Sequence, residues 1–437
     1  MYFTLEYLWL YLILVAFGLF VYLALRRPKL VRRPPLPPGS LGWPIIGEML
    51  ELQRLSRLGK KDEFVDERRK RYNRDVFKTA ILGEKTIAFC GAAGNKFIFT
   101  SEKSLVMTWW PTSLKKLFGD AFFTAPYDEA IRTRKIVAAF LHQEVMDQLV
   151  QRFDNSCKKR MEWDWIGKYA FHIACDMFAS MNDRNWQAMM IKEFHVLIKG
   201  VFQLPMYFPG TRHFKAVKAA KVIRKGLIKV IERKREMKSS QQKVEKDLIS
   251  HLMDTKDDHG NNLLNDNEIA DNVIFLMEAG HDTSSSAMMM LMKYLAEMPD
   301  CYQRVLLVLR LSPPVMGTFR KAKVDFTYNG FFIPKDWMVL CTPNSTQNDP
   351  KYFPNPEKFD PERFDRDTIT PHSFVPFGGG PRMCMGKEFA RVEILVFLHN
   401  LVLNFRWKLL YPDEVISIDP MPTSPNGLPV YLYPRSN

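Results

Sequence analysis

The amino-acid sequence predicts a mainly α fold with small β-sheets, forming a single body behind one N-terminal transmembrane helix. Three observations lead there. Leu8–Leu25 ("LWLYLILVAFGLFVYLAL") runs eighteen residues without a charge. Several long stretches repeat apolar residues at helical spacing, the longest being Ile269–Glu297. Runs with strand character are few and short.

Taken in order, the first element is the anchor, residues 5–25. As a helix, its uncharged stretch is about 27 Å long, close to the hydrocarbon thickness of a bilayer. "RRPKLVRR" follows at once, and positive flanks stay on the cytosolic side. A cleavable signal peptide carries its charge before the apolar run rather than after it, so a retained anchor is expected. The body would then face the cytosol from the endoplasmic reticulum membrane. Residues 26–44 are basic and proline-rich ("RRPPLPPGSLGWP" from Arg32 to Pro44), a stiff spacer because proline fixes φ. Residues 45–437 hold no internal repeat, low-complexity run or long flexible linker, and read as one body. Helices are expected at Glu63–Tyr72, Asp128–Phe140, Val222–Lys238, Ile269–Glu297 and Lys387–Leu403. Short strands are expected at Thr86–Cys90, Asp325–Tyr328 and Trp337–Thr342, and turn signals crowd Asn348–Pro361.

Composition narrows the function classes. The chain has 437 residues, 46% of them hydrophobic, with 32 phenylalanines and 23 methionines, which suits a large apolar interior or pocket. Its six cysteines (Cys90, Cys157, Cys175, Cys301, Cys341 and Cys384) contain no C-x-x-C pair. This argues against a disulfide framework and a zinc ribbon, and for a reducing compartment. The formal charge of +14 suits nucleic acid, an anionic membrane or an acidic protein partner. No nucleic-acid motif accompanies it, so no nucleic-acid partner is expected.

The segment "FGGGPRMCMG" (Phe377–Gly386) carries the most chemistry. Glycines permit positive φ and close backbone approach to a flat ligand. Cys384 precedes a helix starting near Gly386, and a helix N-terminus favours a thiolate. Arg382 adds positive charge nearby. A thiolate is a soft ligand for iron, including iron carried by heme. A phosphate loop is excluded, because Gly386-Lys387 is followed by Glu388. A catalytic cysteine and a plain structural turn stay open on composition alone.

Phe377, Gly380, Arg382, Cys384 and Gly386 together fit F-x-x-G-x-R-x-C-x-G, and the segment resembles the heme-binding loop of the cytochrome P-450 superfamily. The resemblance implies heme (iron-protoporphyrin) as cofactor, Cys384 as the axial metal ligand, Arg382 at a propionate, and Phe377 packed beside the sulfur. "AGHDTS" (Ala279–Ser284) resembles the distal helix of that family, where Asp282 and Thr283 would pass protons to dioxygen; His281 is expected to pack rather than ligate. "DEAIRTRKIVAAF" puts Arg134 in the place of a propionate arginine and Ala130 in that of a tryptophan. "RLSPPVMGTFR" implies Arg320 at a propionate, with Val315 and Met316 lining the pocket. "FDPERF" supplies Arg363. The branch most resembled is that of plant triterpenoid oxidases and taxane hydroxylases. The implied function is a membrane-anchored monooxygenase acting on a large apolar terpenoid or sterol-like substrate with O2. Its electrons would come from an NADPH-dependent flavoprotein reductase docking near Lys387 and Arg391.

One departure stands out. The family's E-x-x-R should end just before "LSPP", but the chain reads Leu307-Val308-Leu309-Arg310. The arginine is present and the glutamate is not. Some tens of residues are expected to be missing at Leu306–Leu307, with a smaller shortening around Gly167–Tyr169. Arg310 and Arg363 would then meet without the carboxylate between them. The alternative reading is a non-catalytic truncated variant with impaired heme binding.

Overall fold

The computed structural model describes residues 15, 18, 33–141, 150–155, 166–201, 203, 207–257, 259–297, 309–315, 317–358, 360, 362–366, 369–419 and 421–435. The expected anchor lies outside these residues except for Val15 and Gly18, both helical. Among the described residues no helix is long and apolar enough to cross a membrane. Met316, Phe359 and the seam at Leu306–Leu307 also lie outside them.

Among the described residues, thirteen α-helices and a small mixed sheet build the body. In chain order they are α1 (Met49–Arg57), α2 (Lys61–Arg71), α3 (Gly91–Thr100), α4 (Thr112–Phe118), α5 (Tyr127–Phe140), α6 (Ile166–Ala179) and α7 (Arg184–Ile198). Then come α8 (Arg212–Ser239), α9 (Leu248–Asp254), α10 (Asp266–Glu297), α11 (Pro343–Gln347), α12 (Arg363–Arg366) and α13 (Lys387–Asn404). The mainly α expectation holds, and each expected helix is present within a few residues except α8, which begins ten residues before Val222. Thr211 caps that start by accepting the Phe214 N–H at 3.2 Å.

The main sheet joins β1 (Val76–Ile81), β2 (Glu84–Phe89), β3 (Val106–Thr108), β4 (Thr318–Ala322) and β7 (Met338–Cys341) in the order β1-β2-β7-β4-β3. Only β2–β7 is parallel. A hairpin of β5 (Phe326–Tyr328) and β6 (Phe331–Ile333) lies apart from it. From Arg33 onward the proline-rich segment is held on the body: the Phe332 N–H donates to the Pro35 carbonyl and the Lys78 N–H to that of Pro38, both at 2.9 Å.

Helix α10 is the axis of the helical part. It opens with a capping box, in which the Asn265 N–H donates to the Glu268 carboxylate (2.8 Å) and the Glu268 N–H to the Asn265 side chain (3.0 Å). Helices α6, α8 and α13 pack against it, and one continuous apolar cluster runs through all four. The cysteine loop lies between the sheet and this cluster, at the start of α13.

Candidate active site

A cavity of about 1760 Å³, counting the space that opens to solvent, separates α10 from the cysteine loop. Phe122, Phe123, Phe275, Phe178 and Trp110 give it an apolar wall.

On one side stands the loop. The Cys384 N–H donates to the Phe377 carbonyl at 2.9 Å, closing the turn. Gly378 (φ +71) and Gly380 (φ +67) occupy the left-handed region that side chains avoid. A Cβ on Gly379 would stand 2.6 Å from the Phe99 ring, and one on Gly380 would stand 2.4 Å from the Phe99 carbonyl. Gly379 and Gly380 therefore seat the loop on α3, whereas the expectation assigned the glycines to ligand approach. Gly378, with open space beside it, suits that role.

The Cys384 thiol is exposed, but into this cavity. Burial in the recess pushes its pKa up, against the Gly386 N–H and the Arg134 guanidinium, which pull it down. The cation acting on the thiol is thus Arg134, not the adjacent Arg382. Arg134 donates to the Met383 carbonyl at 2.7 Å. Arg382 turns instead toward Glu102, its Nε 3.6 Å from that carboxylate, and lies over the Tyr127 ring at 5.3 Å. Arg320, on β4, donates to Glu102 at 2.6 Å. Arg134, Arg320, Phe377, Arg382, Cys384 and Gly386 all line the one cavity.

Facing them on α10 are Gly280 and Thr283. A Cβ on Gly280 would touch only Phe178, at 3.8 Å, so the helix presents open space there. Thr283 donates its hydroxyl to the Ala279 carbonyl at 2.6 Å, leaving its lone pairs toward the cavity. Asp282 is not among the lining residues; burial raises its pKa to about 6, with His195 of α7 pulling it down. His281 packs as expected, its ring edge-on to Phe171 and Phe194 and bonded to the Met277 carbonyl at 2.8 Å.

Sequence reasoning missed two buried acids. Glu102 has no local motif; its partner Arg320 is 218 residues away. Glu393, 1% exposed on α13, lies near Ser284 of α10, and burial raises its pKa to about 8. Its signal was readable: a glutamate four residues after Phe389 and four before Phe397, on the buried face of the helix.

Arg310 and Arg363 sit as expected. They are 0% and 3% exposed, and each gives hydrogen bonds to backbone carbonyls only. Neither forms an ion pair among the described residues, and each keeps a buried Nε without a partner.

A sequence model of the cytochrome P-450 family matches residues 37–306 and 308–429. The chain belongs to the cytochrome P-450 family. It is an oxidoreductase of the monooxygenase kind, with heme as cofactor. Beta-amyrin 28-monooxygenase of Solanum lycopersicum is 39% identical over 470 aligned positions, covering 98% of each chain. The enzyme of the same name from Vitis vinifera is 42% identical, covering 92% of this chain and 93% of its own. Among solved structures, retinoic acid bound cyanobacterial CYP120A1 superposes with a TM-score of 0.84 at 29% identity, covering 92% of this chain and 100% of that one. The family match breaks at the expected seam, and the 470 aligned positions exceed the 437 residues present here.

The cavity fits a heme on its own terms. It offers one exposed thiol, three guanidiniums for propionates, a buried Arg382 Nε still lacking an acceptor, and apolar walls for the macrocycle. A second cavity, about 1160 Å³ and lined by Met49, Leu52, Ile198, Phe319 and Met421, shares Pro314, Val315 and Gly317 with the first. The Arg212–Asp419 ion pair (2.8 Å) stands at its edge.

Proposed function

We propose that this P-450 oxidises a triterpenoid or a similarly large, rigid, apolar polycycle, with Cys384 as the residue that would hold the iron of its heme. The observation that carries the reading is the pairing of Cys384 with Gly280 and Thr283 across a single apolar cavity. The named activity of the relatives supports the substrate class. Bound there, heme supplies the redox iron that activates O2, so that one oxygen atom enters a C–H bond and the other leaves as water.

The chain's own residues account for the rest. Arg134, Arg320 and Arg382 would hold the propionates and fix the macrocycle over Cys384. The phenylalanine-rich wall excludes water and orients an apolar substrate. Gly280 leaves room beside α10, and the Thr283 hydroxyl, anchored on the Ala279 carbonyl, can hold a water there. Asp282, with its proton affinity raised to about 6, takes up protons near neutral pH and passes them toward Thr283.

The proposed setting is the endoplasmic reticulum membrane, with electrons from an NADPH-dependent flavoprotein reductase. Supporting it are the apolar N-terminal run with its basic flank and the exposed Trp43, Ile45, Leu50 and Phe208 on segments flanking the second cavity. Lys387 and Arg391 each approach Glu388, at 3.9 and 2.7 Å, so this corner offers an acidic partner only a modest net charge. The reading as a non-catalytic truncated variant is not favoured, given 39–42% identity to monooxygenases over 92–98% of the chain.

The test is a carbon monoxide difference spectrum of the reduced full chain, followed by product analysis with a reductase and triterpenoids. A red-shifted Soret band that disappears in Cys384→Ser, and oxygenated product whose yield per NADPH falls several-fold in Thr283→Ala, are expected. A wild-type chain without that band, or one that turns over equally well as Cys384→Ser, overturns the reading.

A further inference from the structure

The three arginines of the cavity are not left to themselves. Glu102 stands among them, its side chain 2% exposed. One carboxylate oxygen accepts the Arg320 Nε–H at 2.6 Å. The other accepts the Thr108 hydroxyl at 3.0 Å and lies 3.6 Å from the Arg382 Nε. Thr108 is the register partner of Arg320 across β3 and β4, so the two strands bring the acid's partners together. A buried carboxylate in such a place costs several kcal/mol of desolvation unless it is paired, as this one is.

Counting charge gives the point of the arrangement. Arg134, Arg320 and Arg382 contribute three positive charges to one wall, and Glu102 cancels one. Two remain, which equals the charge of the two heme propionates. The Arg382 Nε–H is buried without an acceptor within hydrogen-bond range, a donor still awaiting one. We propose that Glu102 is the positioning residue of the propionate clamp: it holds Arg320 and Arg382 side by side and sets the charge left for the cofactor at two. This rests on heme binding here with its propionates at these arginines. Without Glu102, two buried guanidiniums lose the negative charge between them and separate, and the propionates meet a splayed pair rather than a preorganised one. The wall also becomes more positive by one charge, which favours the ferrous over the ferric state of the iron.

The experiment compares wild type, Glu102→Gln and Glu102→Asp as full chains in detergent. Heme transfer to excess apomyoglobin and the ferric–ferrous midpoint potential are measured. The expected results are transfer at least tenfold faster and a more positive potential in Glu102→Gln. Glu102→Asp, which keeps the charge, should hold the wild-type potential and lose heme at a rate between the other two. A residue that merely packs would not move the potential. Should Glu102→Gln fold but take up no heme, while Glu102→Asp does, the role stands. Wild-type transfer rate and potential in Glu102→Gln overturn it, as does a Glu102→Asp variant no better than Glu102→Gln. A wild-type chain that takes up no heme overturns the underlying reading instead, and is told apart by its own spectrum.

Discussion

Two buried arginines that lack a carboxylate should repel each other, and that repulsion is measurable. Arg310 is 0% exposed, and its pKa falls from that of a free guanidinium to about 10, chiefly by burial and next by the charge of Arg363. At about 1.4 kcal/mol for each tenfold change, this places about 3 kcal/mol of strain on the charged guanidinium. Its folded-state value lies below the free one, so the cost stands in full throughout the neutral range. It eases only as pH climbs above about 10, toward the value of a free guanidinium. Burial is the larger cause, and the charge of Arg363 comes second. A double-mutant cycle isolates that share. Arg310→Met strands the carbonyls of Gln347, Pro356 and Lys358, and Arg363→Met those of Pro354 and Asn355. Each single variant should therefore be destabilised by a few kcal/mol. The double variant should cost more than the sum by about 1 kcal/mol, because relief from the like-charge repulsion is counted in both single variants but gained only once in the double. Urea unfolding of the full chain in detergent, followed by tryptophan fluorescence, reads all four corners. Additive costs would refute the reasoning. A double variant that costs less than the sum would show an anion bridging the two side chains.

The glycine run and the buried acid of α13 give two further tests. Gly380→Ala places a Cβ 2.4 Å from the Phe99 carbonyl at φ +67 and should abolish heme retention, whereas Gly378→Ala meets open space and should cost about 1–2 kcal/mol from its positive φ alone; thermal unfolding and heme content distinguish them. Burial raises the Glu393 carboxyl from its ordinary value near 4.5 to about 8, so it weakens the fold increasingly as pH rises between those values. Glu393→Gln should match wild type at pH 4.5 and exceed it by about 3 kcal/mol at pH 7, measured as denaturant midpoints across pH; equal stability of the two proteins at pH 7 would count against it.

How much of this was legible in the sequence depends on where the determining partners lie. Helices α10 and α13 were readable because one face is apolar over many turns. Helix α6 was missed although its signal was present: Lys168, His172 and Asp176 recur every four residues along an otherwise buried apolar run. Strand β1 escaped because five of its six residues are buried, leaving no clean alternation. The cysteine loop was legible because its ligand, its turn and its helix start fall within ten residues. The direction of Arg382 was not, since sequence adjacency to Cys384 says nothing about Glu102, 280 positions earlier. Arg134, from a different helix, takes the place beside the thiol instead.

The shortening at Leu306–Leu307 should weigh on heme retention rather than on chemistry. The groups assigned to the reaction come from elements on both sides of it: Gly280 and Thr283 from α10 before, Arg320 from β4 and Cys384 from the loop after. All of them still line one cavity. What the seam removes is a partner for Arg310, which braces the Gln347 carbonyl and the Pro356–Lys358 turn; Gln347 in turn accepts the Val375 N–H at 3.3 Å, two residues before Phe377. The strain is therefore transmitted to the support of the cysteine loop, where it loosens the site that grips the cofactor. Turnover per heme-loaded molecule should stay constant on mild heating while heme occupancy falls, and heme content and product formation measured on the same samples check this. Full occupancy without turnover would place the damage in the chemistry itself and reverse the argument.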